Sequence, residues 1–172
     1  LFNFLHEKSM LLIMDNLEHL LDGIHLLSEI VAHAPGVHIL ATSRERLNLR
    51  EEWVLDVGGL PFPVNPDEAD IEWYSAVALF LQHTRRAKVS LHLNGVHRSA
   101  IVRICRAVEG MPLALELAAP WVRLLPIEEI ASEIERCLDI LETTARNTEP
   151  RHRNMRAAFE PTWNRLTEDE RH

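Results

Sequence analysis

Apolar and polar positions alternate between two regimes along this chain. Near the start, Met10-Leu-Leu-Ile-Met14 is an unbroken apolar run followed at once by Asp15-Asn16, which predicts a strand buried on both faces, as in a parallel sheet. Apolar residues then recur at helical spacing at Leu17, Leu20, Leu21, Ile24, Leu27 and Val31, with Ser28 on the same side, until Ala34-Pro35-Gly36 stops the helix. Val37-His-Ile-Leu-Ala41 is the next strand. A crossover of this length joins parallel strands and is right-handed. Trp53-Val-Leu-Asp-Val57 reads as a short strand, and Gly58-Gly59 with Pro61, Pro63 and Pro66 as a linker.

Beyond the linker the pattern is helical throughout. Tyr74, Val77, Ala78, Phe80 and Leu81 mark one helix. Val96, Ile101, Ile104, Cys105 and Val108 mark a second, with Asn94 as its N-cap and Gly110 at its stop. Pro112 opens a third through Leu113, Leu115, Leu117 and Ala118, and Ile127, Ile130, Ala131, Ile134 and Leu138 mark a fourth. Residues 67–142 thus read as a small all-helical domain, residues 142–150 as a polar linker, and His152 to Leu166 as a last helix bent near Pro161. Pro120 falls where a helix former is expected.

The two parallel strands carry the chemistry. Their carboxyl ends share one sheet edge, the crevice where α/β proteins bind ligands. Asp15 and Thr42-Ser43-Arg44-Glu45 therefore emerge side by side. Thr42 and Glu45 have capping-box spacing, which predicts a short helix with backbone N–H groups aimed at the crevice. A carboxylate, two hydroxyls and a guanidinium together suit a phosphate–magnesium ligand.

Composition narrows the class. With 172 residues, 47% hydrophobic and 26% charged, the chain has material for one medium or two small domains. A net charge of -8 argues against a broad basic surface for nucleic acid. Cys105 and Cys137 lie far apart and read as two reduced thiols. No run is long enough to span a membrane, and no signal peptide is visible. The ten histidines form no HExxH, and His92 and His97 are five apart, off one helix face. Leu1 opens in what reads as a helix already under way, and Thr167 with Glu170 caps a helix about to begin. The chain is therefore expected to be an internal piece of a longer protein.

Four segments in this order resemble one family, the STAND signal-transduction ATPases that include the NB-ARC or AP-ATPase group, in the subgroup of bacterial transcriptional activators. They are Leu11-Leu-Ile-Met-Asp-Asn-Leu-Glu-His19, like a Walker B strand; His38-Ile-Leu-Ala-Thr-Ser-Arg-Glu45, like a sensor strand; Cys105-Arg-Ala-Val-Glu-Gly-Met-Pro-Leu-Ala-Leu-Glu-Leu-Ala-Ala119, like a helical-domain GxP motif; and the stretch from Arg151-His-Arg-Asn-Met-Arg156, like the opening of a winged helix. The resemblance implies an α/β fragment of P-loop NTPase type over residues 1–62, an all-helical domain over 63–146 and a truncated winged helix over 147–172.

It also implies roles. Asp15 would bind magnesium and, with Thr42 and Ser43, hold the phosphates; Arg44 would sense the terminal phosphate; Pro112, in a turn shaped by Gly110, would pack on adenine. Asn16 stands where relatives have a second acid, and an amide is no general base, so Asn16 and Glu18 are the candidates to orient water and hydrolysis is expected to be slow or partner-dependent. No G-x-x-x-x-G-K-[ST] occurs. The piece alone is expected to bind nucleotide poorly and to hydrolyse none, whereas the whole protein would be a weak ATPase. The implied function is a cytoplasmic ADP/ATP switch in a signalling or transcriptional regulator, packed on domains of its own chain, self-assembling on activation and reaching DNA only through a separate domain. Two alternatives stand beside it: a P-loop kinase or motor ATPase with rapid turnover, and a non-catalytic interaction module. Each site residue also has a plainer role. Asp15 would end a strand and cap a helix, Arg44 would pair with Glu45 or another acid, Pro112 would only start its helix, and the Arg151–Arg156 cluster would face DNA phosphate or a neighbouring domain's acids.

Overall fold

The computed structural model describes residues 1–137 together with Leu141, Asn154 and Met155. The chain parts into two compact units, Leu1–Asp56 and Val57–His172. The division precedes the expected one at 62/63 because Leu60 and Phe62 pack on the helical core, and so take the Gly58–Pro63 segment with them.

In the first unit, α1 (Phe2–His6) leads into β1 (Met10–Met14), α2 (His25–His33) and β2 (Val37–Ala41). The strands pair in parallel, Met10 opposite Val37 and Met14 opposite Ala41. Period-two alternation sends Leu12, Met14, Ile39 and Ala41 towards two small apolar clusters, one built on Leu5, Ile30, Ala34 and Val37 and the other on Leu17, Ile24 and Leu27. The opposite set is not buried. Leu11 is 57%, Ile13 71% and Leu40 56% exposed. The expected burial of β1 on both faces is corrected, because among the described residues the sheet is two-stranded and its apolar clusters gather only the Leu12–Met14 side.

Three further expectations are corrected here. The predicted helix from Leu17 is stepped: two 3-10 turns, Leu17–His19 and Leu21–Gly23, precede α2. Asn16 turns left-handed at φ 59° before the first turn, and Gly23 closes the second, where glycine weakens a continuous α-helix. The buried stripe is accordingly Leu17, Ile24, Leu27 and Ile30, while Leu20 and Val31 are exposed. Thr42 to Glu45 start no helix; the Ser43 hydroxyl accepts the Glu45 N–H at 3.3 Å and closes a local bend. Trp53–Val57 is not a strand, and its alternating side chains Trp53, Leu55 and Val57 are 98%, 86% and 89% exposed. An apolar alternation makes a strand only where a ladder partner exists.

The second unit follows the helical pattern closely. It holds α3 (Ser75–Arg86), α4 (Gly95–Ala107), α5 (Pro112–Ala118) and α6 (Ile127–Arg136). Phe80, Ile101, Ile104, Leu115 and Ile130 are completely buried at its centre, and Leu141 and Met155 join them. The Asn94 side chain caps α4 by accepting the His97 N–H at 3.1 Å. Glu109 (φ 49°) and Gly110 (φ 67°) then turn left-handed, and the Gly110 N–H donates to the Cys105 carbonyl at 2.9 Å. Pro112 takes the first position of α5. Pro120 breaks nothing: it lies in the opening turn of the 3-10 segment Ala119–Arg123 that takes over from α5, where its missing N–H goes unused. Arg103 clamps α4 to α6, donating from Nε to Glu135 Oε1 at 3.0 Å, from Nη2 to Oε2 at 2.5 Å and to Ser132 Oγ at 3.1 Å. The place of Leu138 in the fourth helix, the 142–150 linker, the Arg151–Arg156 cluster, the bent last helix with Trp163, the Thr167–Glu170 cap and the winged-helix segment 147–172 lie outside the described residues, apart from Leu141, Asn154 and Met155.

Candidate functional site

The site is built where β1 and β2 end. Their register sets residue 15 beside residue 42. The Thr42 N–H continues the ladder onto the Met14 carbonyl at 2.9 Å, and the Leu17 N–H returns to the Thr42 carbonyl at 3.0 Å. These backbone bonds fix the two exits against each other. The Thr42 hydroxyl is then placed to donate to Asp15 Oδ1 while its oxygen accepts the Asn16 N–H at 3.1 Å. Asp15 and Thr42 are exposed, so an oxygen pair, one charged and one neutral, faces outward. Asp15 caps no helix: Asn16 holds the N-cap position of the following turn, and no side chain caps it.

A second pair spans the same two exits. Glu18, in the first turn after β1, is buried with a side chain 4% exposed, and its Oε1 lies 3.6 Å from Nε of Arg44, whose side chain is 39% exposed. The β1 exit thus supplies two acids, and the β2 exit supplies a hydroxyl for one and a guanidinium for the other. Asp15 and Arg44 both follow the carboxyl ends of the paired strands, and Arg44 lies beside Glu18. Glu18, which the resemblance makes a candidate to orient water, is buried beside Arg44. The signal that could have found the pair is a glutamate set between Leu17 and the helical stripe, where an unpartnered charge is costly to bury. Ser43 is exposed, and its hydroxyl serves the local bend.

Gly110 and Pro112 belong to the helical unit. Gly110 sits under Leu60, whose N–H donates to the Gly110 carbonyl at 2.9 Å. A Cβ on Gly110 would lie 2.0 Å from the Leu60 carbonyl oxygen. Pro112 is exposed on the first turn of α5.

Two networks were not legible in the sequence as sites. In the 64–74 loop, Glu68 Oε1 accepts the Val64 and Asn65 N–H groups at 2.8 Å, its Oε2 accepts the Tyr74 hydroxyl at 2.6 Å, and Arg98 donates to the Pro66 and Glu68 carbonyls. The Tyr74 hydrogen bond, then that from Asn65, hold the Glu68 carboxyl below its ordinary range, and the same bond raises Tyr74. Asn65 and Glu68 have capping-box spacing, the one local clue. In the clamp between α4 and α6, the Arg103 hydrogen bonds lower Glu135, and the Glu135 hydrogen bond raises Arg103. Nearby, Arg106, Ala107, Ile134, Glu135, Arg136 and Cys137 line an open cavity of about 420 Å³; no residue singled out for nucleotide chemistry lines it. Burial pushes the Cys105 thiol up to about 12. Among the described residues, no three His, Cys, Asp or Glu side chains gather to hold a metal, and no helix is long and apolar enough to cross a membrane.

Comparison with known proteins changes the family reading. No family model matches the chain. No solved structure matches it. A protein of Mycobacterium tuberculosis and one of Mycobacterium bovis, each named "Putative HTH-type transcriptional regulator", are similar at 33% identity over 168 residues, covering 97% of this chain. A Mycobacterium tuberculosis protein named "Uncharacterized protein" is 30% identical over 138 residues, covering 79% of this chain and 33% of its own length. The chain spans only 18% of the length of the transcriptional regulators it matches. The expected membership of the STAND, NB-ARC or AP-ATPase group, and with it the P-loop NTPase label, is overturned: the resemblance rested on four short segments, whereas the similarity that extends along nearly the whole chain is to proteins named as HTH-type transcriptional regulators.

Proposed function

We propose that this chain is a ligand-sensing part of a cytoplasmic transcription regulator, and that the ligand of its α/β unit is a magnesium-bound adenine nucleotide, ATP or ADP. The names of the relatives support the regulatory setting. The observation that carries the ligand is the rung between Asp15 and Thr42 at the carboxyl edge of two parallel strands. A carboxylate and a hydroxyl are hard oxygen donors of the kind magnesium takes, one or two from the protein with phosphate and water completing its shell. Asp15 and Thr42 would hold the metal–phosphate group. Bound there, it would bring concentrated negative charge to an edge that also carries Arg44.

The residues favour binding over turnover. Asn16 offers an amide and no base, and Glu18 is engaged by Arg44. A ligand that is held and not consumed acts by favouring one of two conformations in proportion to its differential affinity. DNA contact would fall to another domain of the protein.

The test is nucleotide binding by the full-length protein, followed by calorimetry with ATP or ADP in the presence and absence of magnesium. Asp15→Ala is expected to weaken binding at least about tenfold, on the order of 1.4 kcal/mol, and to abolish the magnesium dependence. Binding of equal strength in parent and variant refutes the site. A parent protein that takes neither nucleotide supports the interaction-module reading, and rapid multiple turnover supports the kinase or motor reading.

A further inference from the structure

We infer that Glu18 is a built-in competitor for Arg44, and that it sets how strongly the strand-tip site prefers a nucleoside triphosphate over a diphosphate. The inference rests on the nucleotide reading above and concerns the second pair at the same edge.

The argument starts from burial. Glu18 has a side chain only 4% exposed, and Arg44 Nε stands 3.6 Å from its carboxylate. A carboxylate taken out of water depends on nearby positive charge, and withdrawing that charge is expensive. Arg44 itself is more than a third exposed, so part of its side chain meets solvent. Arg44 follows Thr42 by two residues and Glu18 follows Asp15 by three. A phosphate chain held at Asp15 and Thr42 therefore extends within the neighbourhood of the Glu18–Arg44 pair. The first phosphates meet the Asp15 rung. A further phosphate is the group that draws on Arg44.

Two anions then bid for one guanidinium. Arginine can serve two acceptors through its fork of donors, but Glu18 and phosphate repel one another across it, and turning the fork outward strips counter-charge from the buried acid. The triphosphate pays this penalty and the diphosphate does not. Glu18 thus lowers affinity for ATP selectively. The same competition has a mechanical output. Glu18 lies in the Leu17–His19 turn, whose Leu17 is 1% exposed and packs with Ile24 and Leu27 at the start of α2. Releasing Arg44 loosens the turn that anchors that cluster.

The measurement is the ratio of ATP to ADP dissociation constants of the full-length protein with magnesium, for the parent, Glu18→Gln and Glu18→Asp. Glu18→Gln keeps the shape and removes the charge; it is expected to tighten ATP about tenfold while ADP stays within about twofold. Glu18→Asp withdraws the charge without removing it and is expected to shift the ratio in the same direction by less. A residue that only supported the fold would weaken both nucleotides together and leave the ratio alone. If the variants bind both nucleotides with the parental ratio, the competitor role of Glu18 is overturned and the nucleotide site stands. If the parent binds neither nucleotide, both are overturned. Should Glu18→Gln fail to fold, the Asp variant decides: an unchanged ratio overturns the inference.

Discussion

Replacing Gly110 with alanine attacks the helical unit at its tightest point. Gly110 holds φ at 67°, and the residue before it, Glu109, is already left-handed at 49°. A left-handed alanine is disfavoured by roughly 1–2 kcal/mol. Its Cβ would also sit 2.0 Å from the Leu60 carbonyl oxygen and 3.0 Å from Leu60 C and N, all backbone atoms. Backbone cannot rotate aside as a side chain can, so the Gly59–Leu60 segment must move, and overpacking of this kind adds about 1–3 kcal/mol. The 2.9 Å bond from the Leu60 N–H to the Gly110 carbonyl stretches with it, removing about 1 kcal/mol more. A loss of at least about 3 kcal/mol is expected, a large share of the roughly 5–15 kcal/mol that holds a domain. At about 4–8 °C per kcal/mol for a unit of this size, the midpoint falls by roughly 12–24 °C. The assay is thermal and urea unfolding followed by circular dichroism at the helical band. Gly110→Asn separates the contributions, since asparagine tolerates the left-handed region but still carries a Cβ; it should recover about 1 kcal/mol of the loss. Gly95→Ala is the control, because a Cβ there meets nothing within 4 Å. A Gly110→Ala protein that melts with the parent refutes the reasoning about both the turn and its contact with Leu60.

The clamp between α4 and α6 gives a pH prediction. Arg103 lowers Glu135, so the stabilisation is fully present above the unfolded carboxylate value of about 4.3 and disappears as pH falls through the lower folded value. Both side chains are one-third exposed, which limits the pair to about 0.2–1 kcal/mol. Urea unfolding should separate the parent from Arg103→Ala at neutral pH and bring them together in strong acid; a gap that persists undiminished there contradicts the assignment. The Cys105 thiol, pushed up to about 12 by burial, should resist a disulfide reagent in the native protein and react on unfolding, while the exposed Cys137 reacts from the start. Rapid native labelling of both thiols overturns that burial.

What the sequence disclosed depended on how local the physics was. The four helices of the second unit, the Asn94 cap, the Gly110 turn and the Pro112 start all follow from spacing and from single-residue backbone preferences, and the structure has each of them. The parallel pairing of β1 and β2 followed from the length of the crossover, and it brought Asp15 to Thr42. Where long-range partners decide, the sequence misled. Trp53–Val57 has the alternation of a strand but no ladder to join. The Met10–Met14 run implied cover on both faces, and Ile13 lies open. The start of the helix from Leu17 depended on Asn16 adopting a left-handed backbone, which periodicity does not register. Glu18 and Arg44 lie 26 residues apart and meet only because two strand exits converge; nothing in either local pattern specifies the partner. The family reading failed for a related reason: short apolar–acidic strings recur wherever a buried strand ends at a crevice, so they speak for geometry more than for ancestry.

The 64–74 loop has one more implication, for where this protein can change. Rich in acid, it looks like slack chain, yet Glu68, Tyr74 and Arg98 tie it at both ends and in the middle. An inserted residue between Val64 and Tyr74 would shift one anchor past the others and release all of them. The neighbouring stretch around Trp53 to Val57, with its side chains in solvent, has no such bonds to lose. Length variation and protease nicks should therefore gather there, leaving the 64–74 loop as a spacer of fixed span.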